Sequence, residues 1–226
     1  MGISSNTLRL LSQRKMQFKA YNARNSWLIA RSKYIGASDA SAVMGLSPWM
    51  NERQLWEEKL GRLKTRRIDE ESVQRGKESE AHIRELYRIE SGQNIMDGTG
   101  IMFLNDAYPW ASCTLDAFKI DDDGGFVPVE IKSVAHSNGG WEQDKIPDHY
   151  FVQILHQLAV TNGKRGELLV RFARRDDTNG NAYERIYNVD RAEVQGQIDR
   201  LMRREEVFWN KNVRLRIPPP VRVPII

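Results

Sequence analysis

Cysteine is almost absent: Cys113 is the single one in 226 residues. That excludes an internal disulfide framework, a cysteine-based zinc site and an iron–sulfur cluster held by this chain alone, and it fits reducing, cytoplasmic surroundings. Long apolar runs are missing too. None approaches the roughly 18 residues that a membrane helix needs, so no membrane association is expected. The four histidines, His82, His136, His149 and His156, show neither an HExxH motif nor paired ligand spacing, which argues against a histidine-held metal. Acid is lacking from the first 38 residues, which carry seven Lys/Arg before the first carboxylate, Asp39. No internal repeat, low-complexity linker or marked domain boundary interrupts the chain, and its length suits a single domain.

What is present is enough apolar sequence for a core (40% hydrophobic) beside 28% charged residues and a net charge of +4. Basic clusters in "RLKTRR" (62–67), "RFARR" (171–175) and "VRLR" (213–216) suggest a polyanionic partner, nucleic acid first, against the alternative of ordinary solvated surface. Residues 1–24 read as a basic helical or partly ordered arm, 27–211 as the folded core and 212–226 as an extended, Pro-rich tail, of which "RIPPPVRVPII" (216–226) cannot be helical. "ASDASAVMGLSPW" predicts a helix capped by Ser38 and closed by Gly45. "NERQLWEEKLGRL" predicts a second, apolar at Leu55, Trp56, Leu60 and Leu63. A long helix is expected from Glu70 to Ser91, with an inward stripe of Val73, Gly76, Ile83, Leu86 and Tyr87. The period then changes. "GIMFL", "PWASCTLDAFKI" and "FVPVEIKSV" predict three strands, with "DDDGG" turning between the last two. A helix over "DHYFVQILHQLAVTNG" ending at Gly163, strands over "GELLVRFAR" and "AYERIYNV" joined by "RDDTNGN", and a last helix with an Asp190/Glu193 capping box complete the order. The sum is an α/β (α+β) domain with a central mixed sheet flanked by helices.

Two kinds of acid stand in "TLDAFKIDDDGGFVPVEIKS". Asp121, Asp122 and Asp123 belong to the turn. In "VPVEIKS" Glu130 and Lys132 alternate with apolar residues and share one face of a strand. Such a pair is commonly a surface salt bridge, but Asp116 ends the preceding strand and the short hairpin returns it beside Glu130. Like charges at short range need a cation between them, and an oxygen-only ligand set favours Mg²⁺ or Mn²⁺ over zinc. Glu80 falls on the inward stripe of the long helix, where a carboxylate needs a partner or a metal; Gly76, one turn earlier, would allow that helix close to a sheet. Gln153 lies early on the helix after the core strands. Ser38 is placed at a helix start, a setting that binds phosphate, and Arg31, seven residues upstream, could supply the matching cation.

In their order and spacing, "RSKYIGAS", "GKESE", "TLDAF", "EIK" and "YFVQ" resemble the lambda-type alkaline exonucleases, the YqaJ-like viral recombinases of the restriction-endonuclease-like PD-(D/E)xK superfamily, over about Trp27 to Thr161. The resemblance implies that Asp116, Glu130 and the Ile131 carbonyl bind catalytic Mg²⁺ (Mn²⁺ as an alternative), that Glu80 serves a second metal position, that Lys132 orients or activates the attacking water, and that Gln153 completes the site. It implies that Arg31 and Ser38 hold the 5′-phosphate of a DNA end. Leu155 stands where family members often carry a second glutamine, and Gln157, one turn on, could compensate. The implied function is 5′→3′ exonuclease digestion of double-stranded DNA to a 3′ overhang, by a ring-shaped homotrimer of phage or prophage origin that hands its product to a single-strand annealing protein. The alternatives are another nuclease of the same fold, such as an endonuclease or a RecB-like nuclease domain, and a DNA-binding protein without catalysis.

Overall fold

The computed structural model describes residues 3–63, 70–134, 140–142, 144–172 and 182–220, without the side chains of 70–75 and 77. In chain order the elements are α1 (Ser5–Gln13), β1 (Gln17–Ala20), α2 (Arg24–Arg31), β2 (Ile35–Gly36), a 3₁₀ turn (Ala37–Asp39), α3 (Ala40–Met44), α4 (Glu52–Lys59), α5 (Glu70–Ser91), β3 (Met96–Asp97), β4 (Ile101–Leu104), β5 (Ala111–Thr114), β6 (Ala117–Ile120), β7 (Phe126–Val134), α6 (Asp148–Thr161), β8 (Arg165–Phe172), β9 (Tyr183–Asp190), α7 (Arg191–Val207) and a π-helical turn (Phe208–Arg214). The Val73 side chain, the "RDDTNGN" connection, the last six residues and most of "RLKTRR" and "RFARR" lie outside the described residues.

The mixed α/β class is as expected, but two mixed sheets replace the single one: β1-β4-β5-β2 and β3-β6-β7-β8-β9. The division falls inside "PWASCTLDAFKI", which forms β5 in the first sheet and β6 in the second. Leu115, at the break, is fully inside the core. Gly98 accommodates it, because a Cβ there would stand 2.4 Å from the Leu115 carbonyl oxygen. The β6–β7 hairpin pairs Ala117 with Val129, so Asp116 falls just past the ladder, opposite Glu130. Its turn is the "DDDGG" one, with Gly124 at φ 80°.

The five-stranded sheet is covered on both faces. Val127, Val129 and Ile131 of β7 pack with Ile83 and Tyr87 of α5. Phe118, Leu168 and Val170 pack instead among Ile154 and Leu158 of α6 and Ile198 and Leu201 of α7. Period-2 alternation therefore turns Glu130 and Lys132 toward α6.

Several local expectations are corrected. The first 24 residues do contain a helix, α1, but they are part of the fold rather than an arm: the edge strand β1 pairs antiparallel with β4, and Leu11 is in the core. Residues 212–214 belong to the π-helical turn, not to an extended tail. Ser38 does not cap a helix; its hydroxyl accepts a hydrogen bond from Arg31. A Cβ at Gly76 would meet nothing within 4 Å, so no close approach of helix to sheet is made there. Asp190 makes no side-chain cap to α7, and Asn162 at φ 56°, not Gly163, supplies the left-handed residue that closes α6. Leu63 is exposed. No helix among the described residues is long and apolar enough to cross a membrane.

Candidate active site

Where β5 and β6 part, the chain leaves a cleft of about 640 Å³ between the two sheets. Arg31 and Ser38 line one part of it; Glu80, Arg84, Asp116 and Gln153 line another. Asp116 is fixed by the backbone, since its Oδ2 accepts from Ile131 N–H at 2.9 Å. That N–H is the first on this edge of β7 beyond the hairpin ladder, so the carboxylate takes the place of a missing strand partner.

Glu130 lies behind the cleft wall, 3% exposed. Its Oε1 accepts from Lys132 Nζ and from Gln153 Nε2, and its Oε2 accepts from Gln157 Nε2. Gln153 and Gln157 are one turn apart, so a single face of α6 holds both carboxylate oxygens. Leu155, two positions after Gln153, points to the opposite side of that helix and is buried in the core; a glutamine there could not reach Glu130. Gln157 thus shares with Gln153 in holding the Glu130 carboxylate.

The electrostatics are those of crowded acids. Burial, then the charge of Glu130, raises the Asp116 carboxyl well above the usual range; Lys132 opposes this and Glu80 adds to it. Burial alone would lower the Lys132 ammonium, but Glu130 and Asp116 hold it above its ordinary value. Lys132 is therefore a persistent cation at neutral pH, suited to donating hydrogen bonds rather than accepting a proton.

Sequence reasoning missed Arg84, although its i+4 spacing from Glu80 along α5 was a usable signal. Its Nη1 donates to the Asp116 carbonyl at 3.1 Å, and the guanidinium forks onto Asp97 at 3.2 and 3.0 Å. Asp39 was also missed. It accepts from Lys59 Nζ at 2.6 Å and from Gly36 N–H at 2.9 Å, and it stands 3.7 Å from Arg31. Arg31 in turn donates to Ser38 Oγ at 2.6 Å and lies over the Trp27 ring. The cation side of the cleft is thereby oriented before any ligand arrives.

Among the described residues no three His, Cys, Asp or Glu side chains are arranged to hold a metal ion as they stand. The donor chemistry nevertheless fits a small hard cation. Asp116 and Glu130 are oxygen donors whose mutual repulsion such an ion relieves, and the buried Oε1 of Gln157 is an acceptor with no hydrogen-bond partner.

Against known proteins, the pattern of the YqaJ-like viral recombinase domain matches residues 26–164. The uncharacterized protein YqaJ of Bacillus subtilis is 28% identical over 192 residues, 84% of this chain and 57% of the relative. The chain thus spans little more than half the length of that relative. Among solved structures, an alkaline exonuclease from Laribacter hongkongensis aligns with a TM-score of 0.58 at 18% identity, covering 84% of this chain and 95% of its own. A phage-related exonuclease from Haemophilus somnus aligns with a TM-score of 0.55 at 10% identity, covering 81% and 96%. At those identities the structural likeness is one of fold.

Proposed function

This chain belongs to the YqaJ-like viral recombinase family, and from that premise we propose that it is a Mg²⁺-dependent 5′→3′ exonuclease on double-stranded DNA. One observation carries the reading: Asp116, set by the β6–β7 hairpin opposite buried Glu130 and its partner Lys132, lines the same cleft as Arg31 and Ser38. Reactive and phosphate-binding chemistry then lie a short distance apart on one strand of DNA. That the two solved structures cited above are exonucleases supports the choice of reaction.

In this proposal Arg31 and Ser38 bind the terminal 5′-phosphate and set the register of the scissile bond. Asp116, Glu130 and the Ile131 carbonyl would hold one divalent cation, Mg²⁺ or Mn²⁺, and Glu80 would serve a second. When bound, the cations supply a water of lowered pKa and polarise the phosphoryl group. Lys132, charged throughout, would orient the attacking water and offset the negative charge that builds on the phosphoryl oxygens. Gln153 and Gln157 keep Glu130 in one rotamer, so its repulsion with Asp116 is not relieved by turning away. The product is a 3′ single-stranded overhang, passed to a single-strand annealing protein; the working assembly is a homotrimer ring in the host cytosol.

Digestion of strand-labelled linear duplexes bearing 5′-phosphate or 5′-hydroxyl ends, in Mg²⁺ or EDTA, tests this. One strand should shorten from its 5′ end, faster with phosphate, and only with metal. Cutting of a covalently closed circle would replace the exonuclease with an endonuclease, and no metal-dependent cutting at all would leave a DNA-binding protein.

A further inference from the structure

Trp49 is 54% exposed, an unusual position for the largest apolar side chain. It is not on a loose tip. Gly45 ends α3 in the left-handed region, the Leu46 and Ser47 N–H groups donate back to the Ser41 carbonyl, and Ser47 Oγ accepts from the N–H groups of Trp49 and Met50 at 3.3 and 3.2 Å. The loop is built to present this ring.

Behind it stands a run of aromatic rings that leads to the acid pair. The Trp49 and His149 centroids are 4.9 Å apart, edge to face, and those of His149 and Tyr150 are 4.1 Å apart. Tyr150 stacks on Trp141 at 5.2 Å. Lys132 Nζ is 5.6 Å from the Tyr150 centroid and bonded to Glu130. Tyr150, Gln153 and Gln157 have i, i+3, i+7 spacing, so the ridge continues along the α6 face that holds Glu130. Burial, and after the opposing effect of Asp148 the charge of Lys132, keep the His149 pKa below its ordinary value, so its ring is a neutral surface at neutral pH.

We infer that Trp49, backed by His149 and Tyr150, is a stacking platform for an unpaired DNA base beside the acid pair. Rings in series, with a cation at their inner end, match the alternation of base faces and phosphates along a single strand. The inference takes its location from the nuclease reading, but base binding itself requires no cutting.

The test is run in EDTA with a short single-stranded oligonucleotide carrying 2-aminopurine, and with a matched one carrying an abasic site. Stacking should quench 2-aminopurine in the wild type. Trp49→Ala should weaken binding roughly tenfold, Trp49→Phe should keep most of it, and the abasic strand should bind the wild type about as weakly as the intact strand binds Trp49→Ala. Circular dichroism establishes that the variants are folded, as an exposed ring predicts. Binding by Trp49→Ala within about twofold of wild type, or an abasic strand bound as tightly as the intact one, overturns the platform. Base-dependent binding without any duplex cutting in Mg²⁺ keeps the platform and overturns the nuclease; cutting without base-dependent binding does the reverse.

Discussion

Asp39→Asn isolates the charge on which the cation side of the cleft depends. Burial by itself would raise the Asp39 pKa; Lys59 first, then Arg31, reverse that and bring it from 3.8 to about 2. The folded-state pKa is thus the lower one. The charged aspartate stabilises the fold above about pH 4, and this contribution is lost as pH falls through about 2. At about 1.4 kcal/mol per pKa unit, the shift corresponds to roughly 2 kcal/mol at neutral pH. Asparagine can still accept from the Gly36 N–H, but it takes from the Lys59 side chain, 2% exposed, the carboxylate it is bonded to, leaving the more distant Glu205 as the nearby opposite charge. Breaking a buried pair from one side costs about 3–5 kcal/mol. We expect a loss of about 2–4 kcal/mol, a fall in Tm on the order of 5–15 °C for a domain of this size. Urea unfolding followed by circular dichroism at pH 7 measures it, and repeating it at descending pH should narrow the difference between pH 4 and 2. Pairing Asp39→Asn with Lys59→Met should recover much of the loss, because it removes the stranded charge. An Asn variant as stable as wild type at pH 7, or a gap that persists in acid, would refute the argument.

Asp116→Asn should behave in the opposite way for stability: it removes a carboxyl whose raised pKa disfavours folding increasingly as pH rises above 3.8, so its Tm at pH 7 should equal or exceed wild type while nuclease activity disappears. Millimolar Mg²⁺ should raise the Tm of the wild type but not of Asp116→Asn, as ligand linkage requires. Gln157→Leu leaves one Glu130 oxygen without its donor in a buried setting; a loss of about 1–3 kcal/mol in stability, read by urea unfolding, is expected. Arg84→Ala should lower kcat at least tenfold, with a raised Mg²⁺ half-saturation that Arg84→Lys partly restores; a Tm change without either effect would make Arg84 merely structural. Replacing Asp121, Asp122 and Asp123 together by Ala loses the surface pairs to Arg165 and Lys164, with little change in Tm and digestion rates unchanged.

Much of this protein is written in local periodicity. The bounds of α5, the β6–β7 hairpin and its glycine turn, and the shared face of Glu130 and Lys132 all follow from patterns of 3.6 and 2 and from turn chemistry. Such patterns are imposed by neighbours a few residues away, which a sequence displays directly. The hairpin also brings Asp116 opposite Glu130, because a short turn leaves only one register. The division of one apolar run into β5 and β6 was not legible, since both halves have the same strand character. Only the packing of Leu115 and the room left by Gly98 decide that the sheet changes there, and that change opens the cleft. The pairing of β1 with β4 depends in the same way on residues some 80 positions apart. Ser38 shows the limit most plainly. Its helix-capping potential is local and readable, yet the folded chain gives its hydroxyl to Arg31, because Asp39 and Lys59 have already fixed where that guanidinium must stand.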